Sequence, residues 1–337
     1  MRIDMHTHIL PEHIPPFDEQ FDTPGWIRLD HHRPGFARMM KGDTFFREIE
    51  ANCWDPEVRI RECDTLGIDI QVLSTVPVMF GWWAPAKDAL EVARFLNDDL
   101  AQTVRAFPHR FVALGSVPLQ DPALAADEMR RCIRDLGMPG VQIGSHVNDW
   151  NLDEDELTPF WEAAHDLEAA VMVHPWDMMA MEKMPRHWLP WLVGMPAETS
   201  LAMCSLLMGG IVEKYPRIRF CFNHGGGAFP GTLARIRHGF DVRPDLCQTR
   251  TTTPPDELLD RIWVDSVVHD ERSLHFLLDV FPHDRVVLGS DYPFPLGELQ
   301  PGTLLREADL DPTVRDAIGF RNALDWLRLD PERFQTP

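Results

Sequence analysis

Eight short apolar, β-branched segments alternate along this chain with stretches of helical periodicity, and that alternation constrains the fold more than any other feature. The segments are Ile3 to His6, Ile68 to Ser74, Phe111 to Val117, Gly140 to Ile143, Ala170 to His174, Ile218 to His224, Ile262 to Asp265 and Arg285 to Ser290. Strands that alternate with helices form βαβ units, which place the strands in a parallel sheet. Eight such units close into an α/β fold of the (β/α)8 TIM-barrel type, which fits 337 residues as a single domain spanning 1–337. One of the clearest helices is expected over Ala197 to Tyr215. There Leu201, Cys204, Met208, Ile211 and Val212 recur on one side, and Pro216 ends it.

One connection is too long for this rhythm. Residues 11–53 are rich in Pro, Gly, His and charge, with weak periodicity, and read as a small insertion over the barrel mouth after the first strand.

Polar residues recur where the strands end. His6-Thr7-His8 closes the first strand, and residues two apart on a strand project to the same side. His174 ends the fifth strand, His224 the sixth and Asp291 the eighth. Barrels of this type carry their active sites at the C-terminal ends of the strands. An isolated His-x-His is a weak signal, and a lone histidine is more often a satisfied core residue. Five metal ligands or proton carriers at the ends of four strands favour a metal site. Zinc suits imidazole nitrogens joined by a carboxylate oxygen, although ligand type alone leaves iron, cobalt and manganese open.

Composition narrows the partners. The net charge of −21 argues against nucleic acid and against anionic membrane surfaces as partners. An anionic substrate would therefore need locally placed arginines. The six cysteines include no C-x-x-C pair and read as free thiols of a reducing compartment. The N-terminus shows no apolar signal region and no apolar run of transmembrane length is evident, so a cytoplasmic location is expected.

The set of His-x-His on the first strand, histidines on the fifth and sixth and Asp on the eighth resembles the amidohydrolase superfamily. Many members hold two metals bridged by a carboxylated lysine on the fourth strand. Here that strand reads Gly-Val-Gln-Ile-Gly, so the resemblance implies one metal per subunit. It implies His6, His8, His174 and Asp291 as ligands and His224 as the free acid/base. The longer stretches Asn52 to Arg59, Trp188 to Thr199, His224-Gly-Gly-Gly227 and Gly289 to Glu298 resemble the α-amino-β-carboxymuconate-ε-semialdehyde decarboxylases of that superfamily, over nearly the whole chain.

That resemblance implies zinc-dependent, non-oxidative decarboxylation of a small dicarboxylate semialdehyde in tryptophan–kynurenine catabolism, diverting flux from quinolinate. His224, Arg47 and Asp291 would act in catalysis. Arg47, Lys41, Trp191, Phe294, Arg235 and Arg243 would bind substrate, the last two reaching across a homodimer interface. Any one of these arginines alone reads as a solvated surface charge. Addition of an activated water before carbon dioxide leaves and direct protonation of carbon both remain open as routes. A hydrolase of cyclic amides or lactones, a hydroxybenzoate decarboxylase and a catalytically inert metal-binding barrel are the alternatives.

Overall fold

The computed structural model describes residues 1–334. Its strands, in chain order, are β1 (Ile3–Ile9), β2 (Ile27–Arg33), β3 (Phe36–Lys41), β4 (Thr44–Glu50), β5 (Ile70–Thr75), β6 (Phe111–Ala113), β7 (Gly140–Ile143), β8 (His146–Val147), β9 (Trp150–Asn151), β10 (Ala170–Val173), β11 (Arg219–Phe222), β12 (Ile262–Asp265) and β13 (Val286–Val287). Two parallel arcs, β1-β5-β6 and β13-β12-β11-β10-β7, make the barrel. Single bridges join the arcs at Gly115–Val141 and Thr7–Tyr292. The eight barrel strands are the eight segments expected from the sequence, and the TIM-type architecture is confirmed.

Alternation along each strand builds two apolar layers. Ile3, Met5, Ile70, Val72, Met172 and Cys221 fill the barrel axis, and the C-terminal Trp326 and Leu327 close the same cluster. Val171, Val173, Phe220 and Phe222 face outward into the larger cluster shared with the helices. Above the axial layer, nearest the C-terminal strand ends, the residues turn polar.

Two sequence expectations need correction. The helix expected over Ala197 to Tyr215 is Met195–Met208 followed by a separate Ile211–Lys214, because Gly210 adopts φ +74° and breaks it. Its buried face is the expected one only in part: Ile211 and Val212 are buried, but over Met195–Met208 the buried residues include Ala202, Met203, Leu206 and Leu207, while Cys204 and Met208 are half-buried and Leu201 lies at the surface. The helix is apolar nearly all round, so periodicity could not choose between faces. Extended backward through Pro190, the same helical stretch reaches 19 residues at a mean hydropathy of 1.2, long and apolar enough by those measures to cross a membrane. The fully buried Thr199 and Glu198 lie within it, and Glu198 accepts hydrogen bonds from Ser145 Oγ and the Met179 N–H, which marks a helix packed into the protein.

Between β1 and the helix Pro56–Leu66, β2, β3 and β4 form an antiparallel sheet. Ala37, Met39 and Ile49 are its buried anchors, packed with Trp26 and Trp54. The β3–β4 pairing sets Arg47 opposite Met39 and Lys41 opposite Thr44 at the hairpin end. A register shift beside Met39 and Met40 adjusts the aim of β4 side chains.

Candidate metal centre

His6, His8, His174 and Asp291 converge, with one donor atom from each lying within 4.8 Å of all the others. All four are buried. Backbone bonds bring the two ends of the chain to this point. The Asp291 N–H donates to the His6 carbonyl at 2.8 Å, and the His8 N–H donates to the Tyr292 carbonyl at 2.8 Å. The irregularity in β1 between Asp4 and Thr7 falls at the first histidine.

Each imidazole is oriented by an acceptor on its far nitrogen. His6 Nδ1 donates to Asp265 Oδ2 at 2.7 Å, His8 Nδ1 to the Thr75 carbonyl at 3.1 Å and His174 Nδ1 to the Pro175 carbonyl at 2.9 Å. That leaves all three Nε2 atoms facing the centre. His6 Nε2 and His8 Nε2 stand 3.2 Å apart, and His174 Nε2 is buried with no hydrogen-bond partner among the described residues. Asp291 Oδ1 lies 3.4 Å from His6 Nε2 and 3.1 Å from His8 Nε2. A buried orphan lone pair is costly unless something occupies the space between. Three nitrogens, each fixed from behind, and a carboxylate oxygen fit a divalent transition metal.

His224 stands beside this group but outside it. Its Nε2 is 3.6 Å from Asp291 Oδ2, the oxygen not turned to His6 and His8. Neither of its ring nitrogens has a hydrogen-bond partner among the described residues. The residue sits in the left-handed region at φ +56°, followed by Gly225 at φ +60°.

The charges around the centre sort themselves. Burial opposes a charge on His6, but Asp265 and Asp291 outweigh it and raise its pKa to about 10. Burial pushes His174 well below its ordinary value, with the other imidazoles adding to the effect, and pushes His8 down against the pull of Asp291. Burial also opposes charge on Asp291, yet His224, His6 and His8 hold its carboxyl well below the usual range. His6 therefore holds a proton that a bound metal would displace. Because His6 holds that proton up to about pH 10, metal loading near pH 7.5 is expected to release about one proton and affinity to fall about tenfold per unit as the pH drops below about 10. Calorimetry in buffers of different ionisation enthalpy measures it; no proton released would contradict the assignment of His6.

The remaining expected site residues are placed as follows. Arg47, on β4, lines the cleft over His8, His174 and Asp291 together with Trp191 and Phe294. Its guanidinium carbon is 4.8 Å from the Phe294 ring centre, and that ring is in turn 5.7 Å from the His8 ring. Lys41 does not line this cleft. It borders a neighbouring one, 5.5 Å over the Trp83 ring, and Phe46, Trp176 and Trp191 are shared by both. Arg235 and Arg243 lie at the exposed surface on and just past the helix Phe229–Val242, outside the cleft of their own chain. Arg243 forms a two-pronged pair with Asp245 at 2.9 and 2.7 Å. Asp265 was given no role from sequence. It ends the seventh barrel strand, as His174 and His224 follow theirs, and that strand-end position is the available signal.

A parallel barrel with a His3Asp centre at its mouth defines a metal-dependent enzyme. The amidohydrolase family model matches residues 3–329, and the chain belongs to that family. Its relatives place it among the carboxy-lyases there. It is 51% identical over 335 residues to 2-amino-3-carboxymuconate-6-semialdehyde decarboxylase of Dictyostelium discoideum, covering 99% of this chain and 93% of that one. It is 37% identical to the Caenorhabditis elegans protein of the same name, covering 98% and 94%. The fold matches that of a dihydroxybenzoic acid decarboxylase from Polaromonas, solved with bound manganese, at a TM-score of 0.79, 22% identity and 99% coverage of both chains.

Proposed function

We propose that this protein is a zinc enzyme, one ion per subunit, that removes carbon dioxide from α-amino-β-carboxymuconate-ε-semialdehyde to give α-aminomuconate semialdehyde in tryptophan–kynurenine catabolism. It would act in the cytosol and divert its substrate from quinolinate. The observation that carries the reading is Arg47 in the cleft over the His3Asp centre. No carboxylate salt-bridges it among the described residues; burial works against its charge, and Asp291 and the Cys53 thiol favour it from a distance. A guanidinium left without an acid beside a metal centre suits a carboxylate brought by the substrate. The two relatives above act, by their names, on such a substrate.

When bound, the ion supplies Lewis acidity, which acidifies water or polarises a substrate oxygen. The chain supplies the rest. Arg47 holds a substrate carboxylate and orients the conjugated chain. Trp191 and Phe294 flank its plane and keep water out. His224 carries the proton, its Nε2 beside the Asp291 oxygen that points away from the other histidines. Zinc is favoured by the three nitrogens and one carboxylate oxygen.

The reading includes a homodimer. Val242 and Leu246 are 53% and 62% exposed on either side of Arg243, an apolar surface that a second subunit would cover. Arg235 and Arg243 would then reach the neighbour's cleft and meet the substrate's second carboxylate. The aromatic walls suit a planar hydroxybenzoate as well. A panel of freshly generated semialdehyde, 2,6-dihydroxybenzoate and a cyclic amide separates the readings: turnover of the semialdehyde is expected, and turnover of dihydroxybenzoate alone would replace the substrate.

A further inference from the structure

We propose that Asp265 is a positioning residue that couples the metal ligand His6 to the proton carrier His224, one carboxylate oxygen holding the His6 imidazole and the other the Gly225 N–H that follows His224; this rests on the roles given to those two histidines above. Asp265 is the last residue of β12 and is buried. Its Oδ2 accepts from His6 Nδ1 at 2.7 Å. Its Oδ1 accepts from the Gly225 N–H at 2.8 Å and from the Val267 N–H at 3.1 Å. Donors from β1, from the turn after β11 and from just past β12 thus meet one carboxylate.

The chemistry requires an acid here. A carboxylate only accepts, so both oxygens serve all three donors. An amide in its place must turn its NH2 toward either the imidazole N–H or the two backbone N–H groups, and leaves donor facing donor. The Gly225 bond matters because of where it falls. His224 and Gly225 are both in the left-handed region, at φ +56° and +60°, a conformation a non-glycine residue adopts only when its surroundings hold it. The N–H that Asp265 holds is the one immediately following His224.

A second observation shows that this contact is built in. Gly289, in the Gly-Ser-Asp stretch leading to Asp291, wedges between the two partners. A Cβ there would lie 2.8 Å from the Asp265 Cβ and 2.9 Å from the His6 Cβ. Glycine lets β1, β12 and the chain after β13 approach closely enough for the 2.7 Å bond. Gly225 is constrained likewise, since a Cβ would lie 2.6 Å from Val268 Cγ1.

The test uses the zinc-loaded protein and two readouts that need no substrate: zinc affinity by chelator competition, and amide hydrogen exchange at Gly225. In Asp265→Asn, zinc affinity is expected to fall roughly 10–100-fold, and exchange at Gly225 to speed up by about tenfold or more. Gly289→Ala is expected to shift both in the same direction by forcing His6 and Asp265 apart. The cobalt-loaded variants should show an altered visible spectrum, which a loss of stability alone would not produce. Unchanged zinc affinity overturns the proposal, and so does lost affinity with Gly225 protection intact, because the coupling would be absent. If the variants do not fold, nitrogen-15 NMR of the zinc-loaded wild type decides: a proton on His6 Nδ1 and a protected Gly225 amide are required, and the absence of either overturns it. Failure of the wild type to decarboxylate any substrate would remove the proposed reaction and leave these readouts standing.

Discussion

His224→Ala is expected to lower kcat by about 10²–10⁴-fold, the range of a lost acid/base group, while the metal stays bound. The geometry separates the two effects. The four converging donors come from His6, His8, His174 and Asp291, and His224 is not among them. Its ring nitrogens have no hydrogen-bond partner among the described residues, so its removal breaks no hydrogen bond. Elemental analysis alongside steady-state kinetics reads both quantities. Near-normal turnover in fully loaded protein would remove His224 as the proton carrier. Loss of metal with loss of activity would make it a ligand instead.

Arg47→Ala is expected to cost about 2–5 kcal/mol in kcat/KM, the range for removing one partner of a desolvated charge pair. At about 1.4 kcal/mol per factor of ten this is roughly 30-fold to several thousand-fold. The position explains the size: the guanidinium lines the metal cleft and stacks near Phe294, with no acid of its own. Arg47→Lys keeps the charge, loses the planar fork and is expected to fall between the two. Unchanged kcat/KM in Arg47→Ala would assign carboxylate binding elsewhere.

The barrel and the centre were legible for different reasons. Strand alternation and strand-end polar residues are local patterns, so β7 and β12 appear in the sequence with the bounds the structure shows. The strand before Asp291 was read too long. Regular pairing stops at Val287, because the chain must turn away at Gly289 for Asp291 to face the histidines with φ +59°. The sheet of β2, β3 and β4 was invisible because charged and polar residues occupy most of its strands and only a few positions are buried. Lys41 was grouped with Arg47 by nearness in sequence. Hairpin pairing sends them apart: Lys41 sits at the turn beside Trp83, and Arg47 lies further along β4 over the metal donors. Asp265 acts through His6 rather than on substrate, and no motif encodes such a contact. Only the fold brings residues 259 positions apart to 2.7 Å.

The central claim, decarboxylation dependent on the His3Asp centre, is tested most directly by titrating metal back into stripped protein. Freshly generated α-amino-β-carboxymuconate-ε-semialdehyde is supplied and carbon dioxide is counted. Negligible release over the spontaneous background is expected without metal, with release rising linearly with added zinc and saturating at one ion per chain. Full activity in metal-free protein, or zinc-loaded protein that never exceeds the spontaneous rate, would contradict it.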